Sequence, residues 1–103
     1  MRVLVVGAGG VGSSMAAIAE RRTFFDEFVL ADVSVEKADK VVNDLTEKGK
    51  FRAAAVDARD REALIALARE SRTDVIVNAC DPRLNPPIFQ AALQAGCSYV
   101  DMA

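Results

Sequence analysis

Histidine and tryptophan are missing from this 103-residue chain, and cysteine, proline and tyrosine are scarce. Without histidine, the commonest general base and the commonest transition-metal ligand are both gone, and no metal site is expected. The two cysteines, Cys80 and Cys97, cannot make a disulfide framework. The strand reading given below puts them at opposite ends of neighbouring parallel strands, roughly 15 Å apart. A disulfide requires Cα atoms within about 7 Å, so two free thiols are expected. Positive charge is not in excess either: 13 Lys and Arg face 15 Asp and Glu, for a net charge of −2. That excludes the basic stripe of a nucleic-acid partner. It does not exclude a dinucleotide, whose phosphates backbone N–H groups at a helix N-terminus can hold. No apolar run approaches the ~20 residues of a membrane span. The run Val3–Val6 is too short for a signal peptide and leads into glycines. Met1 therefore reads as a native start, and the cytoplasm is the expected compartment.

What remains is enough for one domain, expected over 1–103, with a real core: 51% of the residues are hydrophobic. The run Arg2–Val6 reads as a strand buried on both faces. A helix follows over Gly10–Arg22, with Val11, Met15, Ile18 and Arg22 at helical spacing and Arg21-Arg22 in the last turn, where cations suit the helix dipole. Glu27–Asp32 is the second strand. Ser34 caps a helix from Val35 to about Lys48, with Val35, Ala38, Val42 and Leu45 on its inner stripe and Gly49 ending it. Phe51–Val56 is the third strand, closed by Asp57, and Arg59–Ser71 the third helix, with Leu64, Leu67, Ala68 and Ser71 on one face. Asp74–Ala79 is the fourth strand. Asn85 caps a helix that opens with Pro86-Pro87 and ends at Gly96, and Ser98-Tyr99-Val100 begins a fifth strand. Unbroken alternation of strand and helix predicts a three-layer, doubly wound α/β domain of Rossmann type. Its parallel sheet should have the order 3-2-1-4-5 and right-handed crossovers, with the ligand at the switch point between strands one and four.

The chemistry-bearing residues fall at the carboxyl ends of these strands. Gly7-Ala8-Gly9-Gly10-Val11-Gly12 has a strand before it, a helix after it and an acidic residue about 20 positions on, the context a dinucleotide loop requires. Gly7 serves the tight turn, Gly9 the approach of the pyrophosphate and Gly12 the packing of helix on strand; Gly10 adds room. A glycine-rich turn that merely links strand to helix is the plain alternative. Asp32 ends strand two, where a carboxylate accepts both ribose hydroxyls and repels a 2′-phosphate, favouring NAD over NADP. Val33 and Ser34 follow with no arginine, although Lys37 is near. Helix capping is the plain alternative for Asp32. Asp57 and Ala58 fall beside the expected adenine pocket, with capping of the third helix by Asp57 or Asp60 equally open. Asn78, Ala79 and Cys80 leave strand four where the nicotinamide ribose should lie. Asn78 either bonds the ribose or holds the loop. Nothing near Cys80 would lower its thiol pKa, so it is not read as a nucleophile. Asp101, ending strand five, faces the same edge.

Together these residues resemble the N-terminal NAD(P)-binding domain of the saccharopine dehydrogenase family. The Val-Leu-Val-Val-Gly-Ala-Gly-Gly-Val-Gly opening is common to many dinucleotide-binding proteins. The segment from Asp74 to Asp101 is more telling, with an Asn-Ala loop, a Leu-Asn-Pro helix start and an Ala-Gly-x-x-Tyr-Val-Asp ending. The resemblance implies an NAD(P)-dependent oxidoreductase acting on C–N bonds of amino acids or polyamines. It carries over Gly7, Gly9, Gly10, Val11, Gly12, Asp32 and Asp57 as cofactor contacts. Members of that family continue past the point where this chain stops, and their substrate-binding and catalytic groups lie mostly beyond it. The chain is therefore expected to hold the cofactor, to contain no catalytic residue and to be inactive alone, with an amino-acid-like substrate bound through a further domain. Apolar surface left near strand five would favour self-association. The competing reading is a regulatory nucleotide-sensing module, similar to the ligand-binding domains that gate potassium transport.

Overall fold

The computed structural model describes residues 1–101, so the final two positions of the expected 1–103 domain, Met102 and Ala103, lie outside the described residues. The elements run β1 (Arg2–Val6), α1 (Gly10–Ala19), β2 (Glu27–Asp32), α2 (Val35–Asn43), β3 (Phe51–Ala55), α3 (Arg61–Glu70), β4 (Val75–Asn78), a 3₁₀ turn (Pro82–Leu84), α4 (Asn85–Ala95) and β5 (Ser98–Asp101). All five strands are parallel and lie in the order β3-β2-β1-β4-β5, the expected one. Alternation along β1 feeds two cores, because successive side chains point to opposite faces of a sheet. Leu4 and Val6 pack toward Leu64, Ala68, Ile88 and Ala92 of α3 and α4. Val3 and Val5 pack toward Ala16 and Ala19 of α1 and Ala38 and Val42 of α2. Leu4, Leu64, Ile76 and Ile88 are completely buried, and each such side chain is worth about 1.5–3 kcal/mol relative to exposure.

The helix boundaries differ from the sequence reading in four instructive places. α1 stops at Ala19, with Glu20 as its C-cap, so Arg21 and Arg22 fall outside it. Its buried side is Gly12, Ala16 and Ala19, while Val11 and Ile18 are exposed. Small residues win that face because they let the helix axis come close to the sheet. α2 ends at Asn43 with Asp44 as C-cap, five residues before Gly49, and Leu45 is buried from the turn beyond the helix. α3 begins at Arg61 because Asp60 caps it, accepting from the Ala63 N–H at 3.1 Å. Asn85 is not the N-cap of its helix: Asp81 caps the start of the preceding 3₁₀ turn and Leu84 holds the N-cap position of α4. At the other end of α4, Gly96 takes the left-handed conformation (φ +75°), as a helix-terminating glycine should.

The two faces of the sheet are covered unequally. On the α1 side, no helix among the described residues covers the outer part of β4 and β5. Val75, Val77 and Val100 there border an apolar groove of about 650 Å³ shared with Met15, Ile18 and Phe24. The apolar surface expected beside strand five is this groove. No helix among the described residues is long and apolar enough to cross a membrane.

The packing of α1 makes a direct prediction. A Cβ on Gly12 would stand 1.7 Å from the Gly7 carbonyl oxygen, a distance only backbone movement can relieve. Gly12→Ala is expected to cost more than about 3 kcal/mol, above the usual range for overpacking, with a matching fall in the thermal midpoint. A melting curve like that of the parent chain would show that α1 does not sit this close to β1.

Candidate cofactor-binding site

The site is built where β1 gives way to α1. Gly7 has φ +115°, and a Cβ there would lie 3.0 Å from the backbone of Ala79. The residue must be glycine both for its conformation and for its neighbour. The Gly7 N–H bonds the Ala31 carbonyl (2.7 Å) and the Ala79 N–H bonds the Val6 carbonyl (2.9 Å), so the loop is tied to β2 on one side and to β4 on the other. Gly9 is the N-cap of α1 and offers no side chain to cap it. The first-turn N–H groups therefore face outward without a side-chain acceptor, the arrangement that receives a phosphate. A Cβ on Gly9 or Gly10 would meet nothing within 4 Å. Nothing in the chain's own packing requires those two glycines, and what their bareness preserves is open backbone at a helix N-terminus.

Asp32 supplies the carboxylate beside this loop. One oxygen accepts from the Ala8 N–H at 2.8 Å and the other from the Ser34 N–H at 3.0 Å. Two hydrogen bonds leave roughly half the lone-pair sites of a carboxylate free, so Asp32 is held rigidly yet can still accept from a ligand. The helix that follows is capped by Ser34, whose hydroxyl accepts from the Lys37 N–H, and not by Asp32.

A cavity of about 560 Å³ opens at the carboxyl edge and brings together Gly7, Asp32, Asp57, Ala58 and Cys80, within the size range of small-molecule sites. Gly9, Gly10, Val11 and Gly12 are not on its wall and belong to the adjoining helix N-terminus. Ala79 lies behind Gly7, and Asp101 does not reach the cavity. Asp57 does not cap α3. It accepts from the Arg59 backbone N–H (2.9 Å), Nε (3.1 Å) and terminal guanidinium nitrogen (3.0 Å), which pulls its pKa below the ordinary value.

Asn78 has the loop-holding role. Its side chain is buried, with 1% exposure. Its Oδ1 accepts from the Cys80 N–H and thiol, both at 2.9 Å, and its Nδ2 donates to Asn85 Oδ1, which also accepts from the Tyr99 hydroxyl at 2.9 Å. This chain of bonds explains why Asn85 is drawn inside the helix start. Burial, with the Asp32 and Asp81 charges adding to it, pushes the Cys80 thiol pKa up. That is the opposite of what a nucleophile needs.

The sequence reading missed Arg59 and Arg83 on the cavity wall. Arg83 grips Asp81 as Arg59 grips Asp57, through the backbone N–H and the guanidinium, and holds the Asp81 pKa down at about 2. The signal was present as an Asp-x-Arg triplet repeated after strands three and four.

With this geometry in view, the comparisons with known proteins are decisive. The model of the saccharopine dehydrogenase NADP-binding domain matches residues 3–103. The chain belongs to this family. Its relatives include carboxynorspermidine synthase of Vibrio alginolyticus, 34% identical over 98% of this chain and 26% of the relative. Carboxyaminopropylagmatine dehydrogenase of Synechocystis is 31% identical over 99% of the chain and 25% of the relative. Among solved structures, saccharopine dehydrogenase of Saccharomyces cerevisiae superposes with TM-score 0.83 over 99% of this chain and 21% of that one, at 18% identity, which confirms the fold. The chain thus spans about a quarter of the curated relatives it matches. A nicotinamide dinucleotide is the cofactor class of this family domain. The family's description names NADP, so the match supports the dinucleotide and not the NAD preference expected from Asp32. It gives no support to the potassium-gating module.

The Asn78 network predicts a measurable cost. Asn78→Ala strips the Cys80 N–H of its acceptor and should lower stability by about 1–3 kcal/mol, the penalty of an orphaned buried donor. Thiol-labelling kinetics should show Cys80 becoming more reactive as its loop loosens. Unchanged stability together with unchanged Cys80 labelling would remove Asn78 from the role assigned here.

Proposed function

We propose that this domain binds the dinucleotide of a longer oxidoreductase that acts on C–N bonds of an amino acid or polyamine, and that it prefers NAD to NADP. The observation that carries the binding mode is the open glycine backbone at the N-terminus of α1 beside Asp32. The pyrophosphate rests against the first-turn N–H groups near Gly9, Gly10, Val11 and Gly12, where a helix dipole favours negative charge. The adenosine ribose hydroxyls donate to the free lone pairs of Asp32. The adenine lies along Asp57 and Ala58, and the nicotinamide end passes Ala79 and Cys80, positioned by the Asn78 network. When bound, the nicotinamide gives or takes a hydride.

Two features support the NAD preference. Val33, directly after Asp32, is exposed and carries no charge. Lys37 is absent from the cavity wall, and the wall's two arginines, Arg59 and Arg83, are paired with Asp57 and Asp81, which leaves the Asp32 carboxylate without a cationic partner there. The names of the relatives, a synthase and a dehydrogenase of carboxylated polyamines, support an amine substrate of that kind, contacted by polypeptide outside this domain.

Titration of the 103-residue chain with NADH, NADPH, ATP and AMP tests this reading. NADH is expected to bind most tightly, and a preference for ATP or AMP would sink the assignment. Gly9→Val adds a side chain to open space and loses only a favourable N-cap residue, so its stability should fall by no more than about 1 kcal/mol while NADH binding is lost. NADH affinity that survives this change would remove the loop from the site.

A further inference from the structure

The Asp57–Arg59 pair sits where cofactor choice is made. β3 pairs with β2 in register, with Asp32 opposite Ala55, and the Val56 N–H bonds the Asp32 carbonyl at 2.9 Å. Asp57, Ala58 and Arg59, which follow β3, therefore lie beside the end of β2 and share the cavity wall with Asp32 and Val33. Arg59 and Arg83 are the two cations on that wall. Arg83 follows β4, which lies on the far side of β1 from β2. Arg59 is thus the cation at the adenosine end.

We propose that Asp57 sets cofactor selectivity by holding Arg59 in an ion pair and denying that guanidinium to a 2′-phosphate. Three donors of Arg59 engage the two Asp57 oxygens. With the pair intact, Asp32, Asp57 and Arg59 together carry −1, and an incoming phosphate meets net repulsion. Both side chains are solvent-accessible, 76% for Arg59 and 40% for Asp57, so among the described residues nothing but Asp57 keeps the guanidinium from a ligand at this edge. A freed guanidinium is a strong bidentate partner for phosphate. The existing carboxylate, more than any missing cation, keeps the phosphate out.

This inference rests on the dinucleotide reading above, and the experiment separates the two. Affinities for NADH and NADPH are measured on the parent chain, Asp57→Asn, Asp57→Ser, Asp57→Asn with Arg59→Ala, and Asp81→Asn. Both Asp57 variants keep an acceptor for the Arg59 backbone N–H, so either serves if the other folds poorly. Each should shift the affinity ratio toward NADPH by about tenfold, the scale of one charge-assisted phosphate contact. Adding Arg59→Ala should cancel the shift, and Asp81→Asn, which frees the distant Arg83, should leave the ratio unchanged. A constant ratio in the Asp57 variants overturns the inference. So does a shift that survives loss of Arg59, or one that Asp81→Asn reproduces. If the parent chain binds neither dinucleotide, the underlying functional reading fails instead, and this inference goes with it.

Discussion

The carboxyl edge of this domain depends on how closely α1 approaches β1. Gly12 lies against the Gly7 carbonyl at a distance no side chain permits, and this contact sets the helix N-terminus directly over the end of the first strand. From that position the loop residue Ala8 reaches the Asp32 carboxylate, and Gly7 sits against the backbone of Ala79. Three strands, β2, β1 and β4, are thereby joined at one edge by two glycines and a carboxylate. Small residues continue the approach along the helix, where Ala16 and Ala19 complete the buried side. The exposed Val11 and Ile18 contribute little to it.

Around that joint, polar groups are satisfied within the chain before any ligand arrives. No buried side-chain nitrogen or oxygen among the described residues lacks a partner. Asp32 bonds two backbone N–H groups, Asn78 spends both ends of its amide, and Asp57 and Asp81 each hold a neighbouring arginine. Such pre-ordering lowers the cost of binding, because the loops are already in place. It also concentrates specificity in a few charges. Burial makes the Asn78 network energetically weighty, whereas the exposed Asp-x-Arg pairs contribute little to stability and act chiefly through where they place charge.

The two faces of the sheet are covered unevenly. One face is sealed by α3 and α4, and its core contains Leu4, Ile76 and Ile88. The other is sealed by α1 and α2 only over β3, β2 and β1, leaving Val75 part-exposed and Val100 exposed. The chain matches a quarter of relatives whose names describe complete reactions. Its residues account for holding a cofactor, and none among those described forms a cluster able to bind a metal.

Strand order, layer assignment and the glycine loop were legible in the sequence because each rests on a local or periodic signal. β1 is a short apolar run, the glycines stand at fixed spacing, and the strands and helices alternate. Helix ends were less legible: Asp60 and Asp57 are equally good caps by type, and only the fold decides which carboxylate faces the first turn of α3. The same holds for Asn85, which has the right chemistry for a cap but is drawn toward Asn78 and Tyr99, residues 7 and 14 positions away. The sequence by itself determined the doubly wound fold and the glycine loop between β1 and α1, since both follow from hydrophobic period and from what only glycine can do. Only the tertiary structure decided that Asn78 braces a loop and that Asp57 grips Arg59 beside Asp32. The first depends on how α4 and β5 bring Asn85 and Tyr99 to Asn78, and the second on the register that sets the end of β3 beside β2.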